Sequence, residues 1–449
     1  MSIKIFNTLS KKKEVFKPVN EDKVSMYVCG PTVYSNPHIG NARSALIGDL
    51  WFRVLKNRYK NVTYIRNITD VDDKIIDAAS HEKKTVTEIS EQYSKIYKDN
   101  MELLGLLIPT IEPKVTEYIS KIIKIIEKII SSGYTYTEDN HVMFDTVKYR
   151  EYGKLTKRIA DDMLDGVRID VASYKKSPKD FILWKPSKSD QVGWNSPWGF
   201  GRPGWHIECT SMIKEIIGHD TTLDIHGGGN DLIFPHHENE IAQGNCVSKN
   251  EYCNYWFHNG IVLVDKKKMS KSLGNVILVD DLLKKTSPVS IRYALLSSHY
   301  RQPLNWTSDV LNNSVNIINK YKNLISTSTD HESEILYDDE LISILEDDLN
   351  TPAALNYISS ISKEINKDKK IYAKFLFCIN FMGFDITSNV LDNTTMSDQK
   401  AIEKLINERN IARSEKNFKK ADEIRQKLLS LNIEIKDDGN QTTWEYKPK

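Results

Sequence analysis

Two short segments of this chain carry residues that suit the binding of a phosphate chain. The first is Pro-His-Ile-Gly-Asn, in which His38 and Asn41 lie three residues apart at the start of a helix-like stretch. A helix N-terminus offers free backbone amides and a positive dipole end, both of which favour phosphate. The second is Lys-Met-Ser-Lys-Ser, where Lys268 and Lys271 can hold a multiply charged anion. Each segment alone is also compatible with an ordinary exposed loop.

Two cysteines, a histidine and a glutamate form a set with metal-binding chemistry. Cys29 follows the first strand-like run, and Cys209 lies in Trp-His-Ile-Glu-Cys. His236 and Glu240 are four residues apart and would share one helix face, with Pro235 in the first helical turn. Thiolate, imidazole and carboxylate are all zinc ligands. The four are far apart in the sequence, so a surface pair of His236 and Glu240 stays open as an alternative.

Two hydrolase patterns are excluded. His237-Glu238 begins like the zinc-protease motif His-Glu-x-x-His, but position 241 is isoleucine. Three glycines follow His226 as in some oxyanion loops, but the sequence contains no Gly-x-Ser-x-Gly nucleophile segment.

The elements around these residues predict an α/β fold with a Rossmann-like parallel sheet. Strand-like residues 24–28, helix-like residues 38–55 and strand-like residues 62–65 form a strand–helix–strand unit. Helical patterns follow at 85–107 and 115–130. Residues 133–196 read as a loop-rich insertion, after which the α/β pattern resumes at His206 and ends in a buried strand at Ile261–Val264.

The second half of the chain predicts an α-helical bundle and a small C-terminal domain. From Ser308 the pattern is helical, and the acidic stretch 332–348 is expected to be a solvated helix face. The polar residues 388–395 are typical of a linker. Beyond it, Leu405, Phe418, Ala421, Ile424 and Leu428 recur at helical spacing, and Ile433 and Ile435 alternate as in a strand.

Composition and charge predict a cytoplasmic protein without a membrane span. The 449 residues include 62 basic and 61 acidic ones, a net charge of +1. No apolar run approaches the ~20 residues of a membrane span, and the first residues lack an apolar signal core. Five cysteines, an odd number, predict reduced thiols in the cytoplasm. Cys246, Cys253 and Cys378 are expected to be buried packing residues.

The two phosphate-type segments together resemble the paired signature of class I aminoacyl-tRNA synthetases. Longer blocks resemble cysteinyl-tRNA synthetases and follow the same order along essentially the whole chain: Cys29–Tyr34, Arg66–Lys74, Gly204–Met212 and His226–Gln243. Asn41 departs from the signature, which ends in histidine. Asparagine carries no charge, so His38 and the lysines are expected to dominate at the phosphates.

The resemblance implies ATP-dependent activation of L-cysteine to cysteinyl-AMP and transfer to the 3′-terminal adenosine of tRNA-Cys, with Mg²⁺ accompanying ATP. It implies one Zn²⁺ per subunit that binds the substrate thiolate, with the ligands Cys29, Cys209, His236 and Glu240. The implied catalytic residues are His38, Asn41, Lys268 and Lys271. The implied ATP contacts are Thr32, His38, Asn41, Gly228, Asp231 and Lys271, with Val262 and Met269 beside the adenine. The implied cysteine pocket is Gly30, Thr32, Thr69 and Trp205.

The same resemblance implies the domain boundaries of the chain and an anticodon-binding function for its C-terminal end. Residues 404–427 hold eight basic and four acidic residues and look like an anticodon-binding end. The anticodon candidates are Arg413, Phe418, Asp422 and Asp438, and Phe418 replaces a tryptophan of some relatives. A monomer without an obligate protein partner is expected. The expected segments are a catalytic domain at 1–130 and 204–263, an insertion at 131–203, a lysine-loop and stem-contact region at 264–307, a helical bundle at 308–387 and an anticodon-binding domain at 396–449.

One alternative keeps the same catalytic domain. A paralogous ligase joins cysteine to an amino-sugar and lacks the anticodon-binding end. The C-terminal tail of this chain counts against that interpretation.

Overall fold

The computed structural model divides the chain into two compact units, Met1–Ile386 and Thr387–Lys449. Each unit is described by itself below. The structure describes residues 2–157, 172–270, 272–328, 335–386, 405–413, 417–430, 433–438 and 441–446.

A four-stranded parallel sheet lies at the centre of the first unit, as the sequence predicted. Its strand order is β10–β9–β3–β4. The central strands are buried on both faces, and their buried polar side chains, such as Asp224 and His226, therefore need partners inside the protein. The strands are β3 (Val24–Val28), β4 (Val62–Arg66), β9 (Leu223–Gly229) and β10 (Cys253–Asn259). A short antiparallel hairpin, β1 (Lys4–Asn7) and β2 (Lys12–Val15), precedes the sheet.

Helix α1 (Ile39–Arg58) connects β3 to β4 and completes the predicted strand–helix–strand unit. Thirteen of its residues are buried, including the polar Arg43 and Asp49, so it has no continuous solvent face. The helix lies between the sheet and the later helices, and its polar side chains therefore need partners inside the protein.

The insertion contains more regular structure than its sequence indicated. Four antiparallel strands form a sheet where mostly loop was expected: β5 (Thr135–Glu138), β6 (His141–Phe144), β7 (Phe181–Pro186) and β8 (Gly201–Pro203). The rings of Phe144 and Phe181 stack at 4.8 Å across β6 and β7. Strands of three to six residues interrupted by glycines leave little periodicity to read, which is why the sheet was missed.

Helices of the first half cover the two faces of the sheet. They are α2 (Asp73–Glu82), α3 (Val86–Leu103), α4 (Ile119–Ser131), α5 (Trp205–Ile217) and α6 (Glu238–Cys246). The apolar face of α4 is buried at Ile119, Ile122, Ile125, Ile126 and Ile129. The predicted start of this helix at Val115 is a 3₁₀ turn, Val115–Tyr118.

A small three-stranded sheet follows β10. It consists of β11 (Val262–Val264), β12 (Lys267–Lys268) and β13 (Leu304–Trp306), with α7 (Val279–Leu283) and α8 (Pro288–Leu296) between β12 and β13. Two backbone hydrogen bonds join the segment after the lysines to the start of α1: Ile39 N to Ile277 O at 3.0 Å, and Val279 N to Pro37 O at 2.9 Å. The start of α1 is thus joined to the chain shortly after the second signature segment.

Helices α9 (Ser308–Thr327), α10 (Asp339–Glu346), α11 (Thr351–Ile361) and α12 (Lys369–Phe381) follow. The expectation of a solvated acidic face at 332–348 was wrong for three of its carboxylates, since Asp338, Glu346 and Asp348 are buried. Asp338 caps α10 and accepts from the Tyr357 hydroxyl at 2.8 Å. Asp348 accepts from Tyr300 and Arg301. Tertiary partners, which charge patterning cannot show, stabilise the carboxylates of Asp338 and Asp348.

The second unit contains two helical segments and a hairpin. Residues 405–413 are helical (α13), and α14 (Phe418–Ser430), β14 (Ile433–Asp438) and β15 (Gln441–Tyr446) follow. Its small core joins Ile406, Ile424, Leu428 and Ile435. Across the described residues of both units, none of the helices has the length and apolarity to cross a membrane.

Candidate active site

A cavity of about 400 Å³ opens at the carboxyl ends of β3, β9 and β10. This edge of a parallel sheet is the usual place for ligands in open α/β folds. Most of the residues singled out from the sequence line it: Cys29, Gly30, Thr32, His38, Asn41, Trp205, Asp231, Val262, Lys268 and Met269. Residues predicted to bind zinc, cysteine and ATP therefore line one cavity, together with the predicted catalytic residue Lys268.

Five predicted site residues lie behind the cavity wall: Thr69, Cys209, Gly228, His236 and Glu240. Thr69 braces the turn after β3, because its backbone N–H donates to Pro31 O and its carbonyl accepts from Val33 N. Gly228 packs against His237, and Gly229 takes its place on the cavity surface. Lys271 lies outside the described residues.

Gly30 is required by the closeness of two chain segments. A Cβ at position 30 would overlap the backbone carbonyl of Asn67. The Asn67 side chain accepts a hydrogen bond from Gly30 N at 2.9 Å. The turn carrying Cys29 is thus held tightly against the segment after β4, which leaves room for a ligand beside it.

The start of α1 differs from the sequence-based expectation of free helix amides. His38 is the N-cap, and its Nδ1 accepts hydrogen bonds from Gly40 N at 3.1 Å and Asn41 N at 3.3 Å. The Asn41 side-chain oxygen accepts from His38 N in return. Two of the amides expected to meet phosphate are therefore satisfied by the protein itself.

This capping arrangement also determines the role of His38. Because Nδ1 accepts two hydrogen bonds, a neutral ring carries its proton on Nε2. Burial lowers the pKa of His38 below its ordinary value. At neutral pH these contacts favour His38 as a neutral Nε2–H donor, and the expectation that His38 and the lysines dominate at the phosphates stays a prediction.

Lys268 lies on an exposed hairpin at the other side of the cavity. Strand β12 pairs with β11 through Leu263 and Lys268, and both lysines of β12 are exposed. Asp265 and Lys266 form the turn with positive φ values of 49° and 64°. Lys268 lines the cavity, and the ion pairs found among the described residues do not include it.

Cys29, Cys209, His236 and Glu240 form one cluster beneath the cavity. One ligand atom from each lies within 4.8 Å of the others. Glu240 Oε1 is 3.0 Å from His236 Nε2 and 3.8 Å from Cys29 Sγ. Cys209, His236 and Glu240 are buried, whereas Cys29 is half-buried and reaches the cavity. The interpretation of His236 and Glu240 as a surface pair is excluded.

The four groups of the cluster shift one another's pKa values. A hydrogen bond with the Cys29 thiol lowers the pKa of Cys209 to about 6 despite burial. Burial raises the pKa of Cys29 well above its ordinary value. Burial opposes the charged forms of His236 and Glu240, but electrostatic attraction prevails. Glu240 raises the pKa of His236 to about 10, and His226 and His236 lower the pKa of Glu240.

Several residues that the sequence analysis did not single out hold this cluster in place. The second oxygen of Glu240 accepts from Tyr252 at 2.7 Å and lies 2.9 Å from His226 Nε2. His206 Nδ1 is 2.8 Å from His236 Nδ1. Outer contacts of this kind orient metal ligands. The histidines next to the ligands in the sequence were the available signal, but no spacing rule identified Tyr252.

His226 and His237 form a second candidate ligand set with Cys29 and Glu240. This set has only one thiol, and the His226 ring stacks on Trp256 at 4.6 Å. Its Nδ1 is buried without a hydrogen-bond partner. The set with Cys209 offers two soft sulfur ligands, which suits zinc better.

The local helix differs from the expectation for Pro235. Helix α6 begins at Glu238, and Phe234 is extended at φ −139° and ψ 132°. The Phe234–Pro235 peptide is cis. Proline therefore lies in an irregular turn before the helix, although His236 and Glu240 still face each other.

The three cysteines outside the cluster differ in burial. Cys253 and Cys378 are buried as expected, but Cys246 is only half-buried.

The anticodon candidates lie in the second unit. Arg413 and Asp422 are exposed, and Phe418 is 63% exposed at the start of α14. Asp438 ends β14 opposite Gln441.

A parallel sheet, a phosphate-side helix start and a connected lysine hairpin together define a class I aminoacyl-tRNA synthetase. Residues 15–316 match the family described as tRNA synthetases class I (C) catalytic domain, and residues 399–444 match the cysteinyl-tRNA ligase anticodon binding domain. The chain belongs to the cysteine–tRNA ligase family.

Individual relatives agree with this assignment. The chain is 43% identical over 459 residues to the cysteine–tRNA ligase of Parvibaculum lavamentivorans, covering 99% of this chain and 98% of that one. It is equally identical over 459 residues to the cysteine–tRNA ligase of Maricaulis maris, covering 99% of each. The solved methionyl-tRNA synthetase of Mycobacterium tuberculosis with methionyl-adenylate shares the fold at a TM-score of 0.54 and 16% identity. The match covers 87% of this chain and 85% of that one.

Proposed function

We propose that this chain activates L-cysteine with ATP and transfers it to the 3′-terminal adenosine of tRNA-Cys. One observation carries the proposal: the two-thiol cluster lies directly beneath the cavity that holds the phosphate-type helix start and the lysine hairpin. A site for a soft side chain and a site for a nucleotide thus share one space. Cysteine is the protein amino acid that joins a carboxylate to an ionisable thiol.

The chemistry of the first step needs positioning and charge stabilisation more than covalent help from the protein. The cysteine carboxylate attacks the α-phosphorus of ATP, the bond to the β-phosphate oxygen breaks, and pyrophosphate leaves with Mg²⁺. His38 Nε2–H and the Asn41 amide donate to the phosphates from one side, and Lys268 approaches from the other. Lys271 is proposed to act with Lys268. Such donors lower the barrier because they meet the charge that develops on the phosphate oxygens.

The nucleotide and amino acid ends are assigned to opposite ends of the cavity. Val262 and Met269 are proposed to hold the adenine and Asp231 the ribose, with Gly228 supporting the ribose site from behind the cavity wall, where Gly229 lines the surface. Thr32 is proposed to contact both substrates. Gly30, Thr69 and Trp205 complete the cysteine pocket. The Trp205 ring is 42% exposed and packs against His236 at 4.5 Å, so it covers the cluster from the cavity side.

The donor set fits a zinc ion. Two thiols, one imidazole and one carboxylate converge within 4.8 Å, and the outer hydrogen bonds leave Glu240 Oε1 facing the cluster. Zinc, when bound, would hold the substrate sulfur as thiolate, which the serine hydroxyl cannot imitate near neutral pH. A hydrophobic pocket separates near-isosteres by only ~1–3 kcal/mol, so selection by size alone is weak.

The RNA-binding part of the proposal rests on the second unit. Arg413, Phe418, Asp422 and Asp438 are proposed to read the anticodon, where exposed aromatic and arginine side chains can stack on unpaired bases. The predicted catalytic, insertion, stem-contact, helical-bundle and anticodon-binding segments are proposed as the functional domains of the chain. The match of residues 399–444 to an anticodon binding domain gives the amino-sugar alternative no support.

Cysteine-dependent ATP–pyrophosphate exchange, followed by charging of tRNA-Cys, tests the proposal. We expect exchange with L-cysteine, no comparable exchange with L-serine, and charging of tRNA-Cys. Absence of exchange in metal-loaded protein would refute the activation step. Exchange without charging would instead support the amino-sugar alternative.

A further inference from the structure

Arg43 is the most extensively bonded buried cation near the candidate active site. It lies on α1, two residues after Asn41, and has no exposed surface. Its guanidinium donates five hydrogen bonds, and none of the acceptors is a carboxylate. The acceptors are Gly260 O at 2.7 Å, Ile261 O at 3.3 Å, Ser298 Oγ at 2.9 Å, His299 O at 3.2 Å and Gln302 O at 2.9 Å.

These acceptors come from two segments that must approach each other closely. A Cβ on Gly260 would overlap the carbonyl of Gln302. Gly260 N also donates to Tyr300 O at 2.7 Å. Four carbonyl oxygens pointing at one place repel one another, and a buried cation between them removes that repulsion. Burial lowers the pKa of Arg43 to about 10, so the group stays charged at neutral pH.

The two segments are the bases of the strands that carry the lysine hairpin. Residues 259–261 lead into β11, and residues 298–303 lead into β13. Ile261 O, an acceptor of Arg43, also accepts from Leu304 N at 3.0 Å. Strand β11 then pairs with β12 through Leu263 and Lys268. One short hydrogen-bonded path therefore runs from Arg43 to Lys268.

The same helix carries the opposite side of the phosphate site. His38 and Asn41 lie at its start, five and two residues before Arg43. Asn259, Gly260, Ile261 and Val262 line the cavity between the two sides. A change at Arg43 would alter the separation of these sides without touching the metal cluster.

We infer that Arg43 is a positioning residue for the ATP-dependent step, which sets the distance between the start of α1 and the hairpin that carries Lys268. The inference rests on the proposed function, since it assigns ATP to the cavity. Arg43 acts through main-chain carbonyls and contacts no substrate. A planar guanidinium is needed because it donates to both segments at once, whereas a lysine ammonium presents a single point of attachment.

The test compares matched substitutions in the full-length chain by steady-state ATP–pyrophosphate exchange. Arg43→Lys should raise the KM for ATP and lower kcat/KM for ATP by about tenfold or more, the factor expected when one charge-assisted hydrogen bond is lost. The KM for cysteine and the bound metal should stay within about twofold of wild type, because the cluster has other supports.

Arg53→Lys is the matched control. Arg53 lies on the same helix, is largely buried and donates to Asp49 and to Gly105 O, away from the hairpin. It should leave both KM values within about twofold of wild type while lowering the thermal midpoint. Equal effects of the two substitutions on ATP and cysteine would overturn the inference, because both would then act through stability alone.

A milder variant keeps the test decisive if Arg43→Lys does not fold. Ser298→Ala removes one side-chain acceptor from a half-buried position. It should raise the KM for ATP about two- to fourfold with no change in the KM for cysteine. An unchanged KM for ATP in folded Ser298→Ala would contradict the inference. Absence of exchange in the wild-type chain would instead refute the proposed function.

Discussion

The metal-type cluster and the lysine hairpin lie on two sides of one cavity and are built in opposite ways. Cys209, His236 and Glu240 are buried, and hydrogen bonds from His206, His226 and Tyr252 hold the last two. Lys267 and Lys268 are exposed. Their strand β12 pairs with β11 through the backbone, and the Asn275 side chain donates to Lys268 O at 3.2 Å.

The difference follows from what each region has to recognise. Telling sulfur from oxygen requires ligand atoms at defined positions, and rigid outer contacts supply that geometry. A phosphate chain is multiply charged and can be bound by flexible, solvent-exposed lysine side chains. We therefore expect the buried cluster to control cysteine affinity and metal content, and the hairpin to control ATP use.

Loss of a cluster thiol should have the largest effect. Cys209→Ser should lower bound zinc and reduce kcat/KM for cysteine by at least about 100-fold, more than is typical for an outer contact of a metal site. Elemental analysis and pyrophosphate exchange measure both. Cys253→Ser is the control, because this buried thiol lies outside the cluster. Full metal content in Cys209→Ser would remove Cys209 from the ligand set.

Loss of the hairpin cation should affect the other substrate. Lys268→Ala should lower kcat/KM for ATP about 100-fold, as is common when a transition-state charge loses a donor. The KM for cysteine and the zinc content should not change. Lys267→Ala, at the neighbouring exposed position, is the control and should remain within about twofold. A parallel loss of cysteine affinity in Lys268→Ala would contradict the separation of the two regions.

Removal of an outer contact should have an intermediate effect confined to the cluster. Tyr252→Phe deletes the 2.7 Å hydrogen bond to Glu240 and should weaken zinc binding about tenfold. Competition with a chromophoric chelator measures this. Tyr255→Phe controls for the loss of a hydroxyl, since the Tyr255 hydroxyl contacts Val15 O and Lys17 N instead. Equal zinc affinities would show that Tyr252 does not support the ligand.

The smallest expected effect is a pH dependence of stability from Lys214, which lies on the same helix as Cys209. Burial lowers the pKa of Lys214 to about 8, so the unfolded chain binds more protons than the folded one between pH 8 and about 10.5. This residue therefore adds stability as the pH rises through that window. Relative to Lys214→Met, the wild-type free energy of unfolding should gain about 1–2 kcal/mol from pH 8 to pH 10 in urea titrations. A constant difference between the two proteins would contradict the assigned pKa shift.

Local patterns predicted the central sheet well and the surrounding polar network poorly. Strands β3 and β4 and helix α1 follow from runs of apolar residues near a Gly-Pro turn. Asp338 and Asp348 look like surface charges in the sequence, yet both are buried with partners far along the chain. Hydrophobic periodicity reports on near neighbours, and it cannot report on a hydroxyl or arginine brought in by folding.

The sequence by itself determined the fold class and the family, because these follow from residue types, short motifs and the order of the motifs along the chain. The four metal-type ligands lie far apart in the sequence, so they were implied by the resemblance and stay a prediction. Only the tertiary structure decided that His38 caps its own helix as a neutral donor, that Tyr252 and His226 hold Glu240, and that Arg43 joins α1 to the lysine hairpin. The physical reason is that buried polar groups must find partners, and folding supplies those partners from segments distant in the chain.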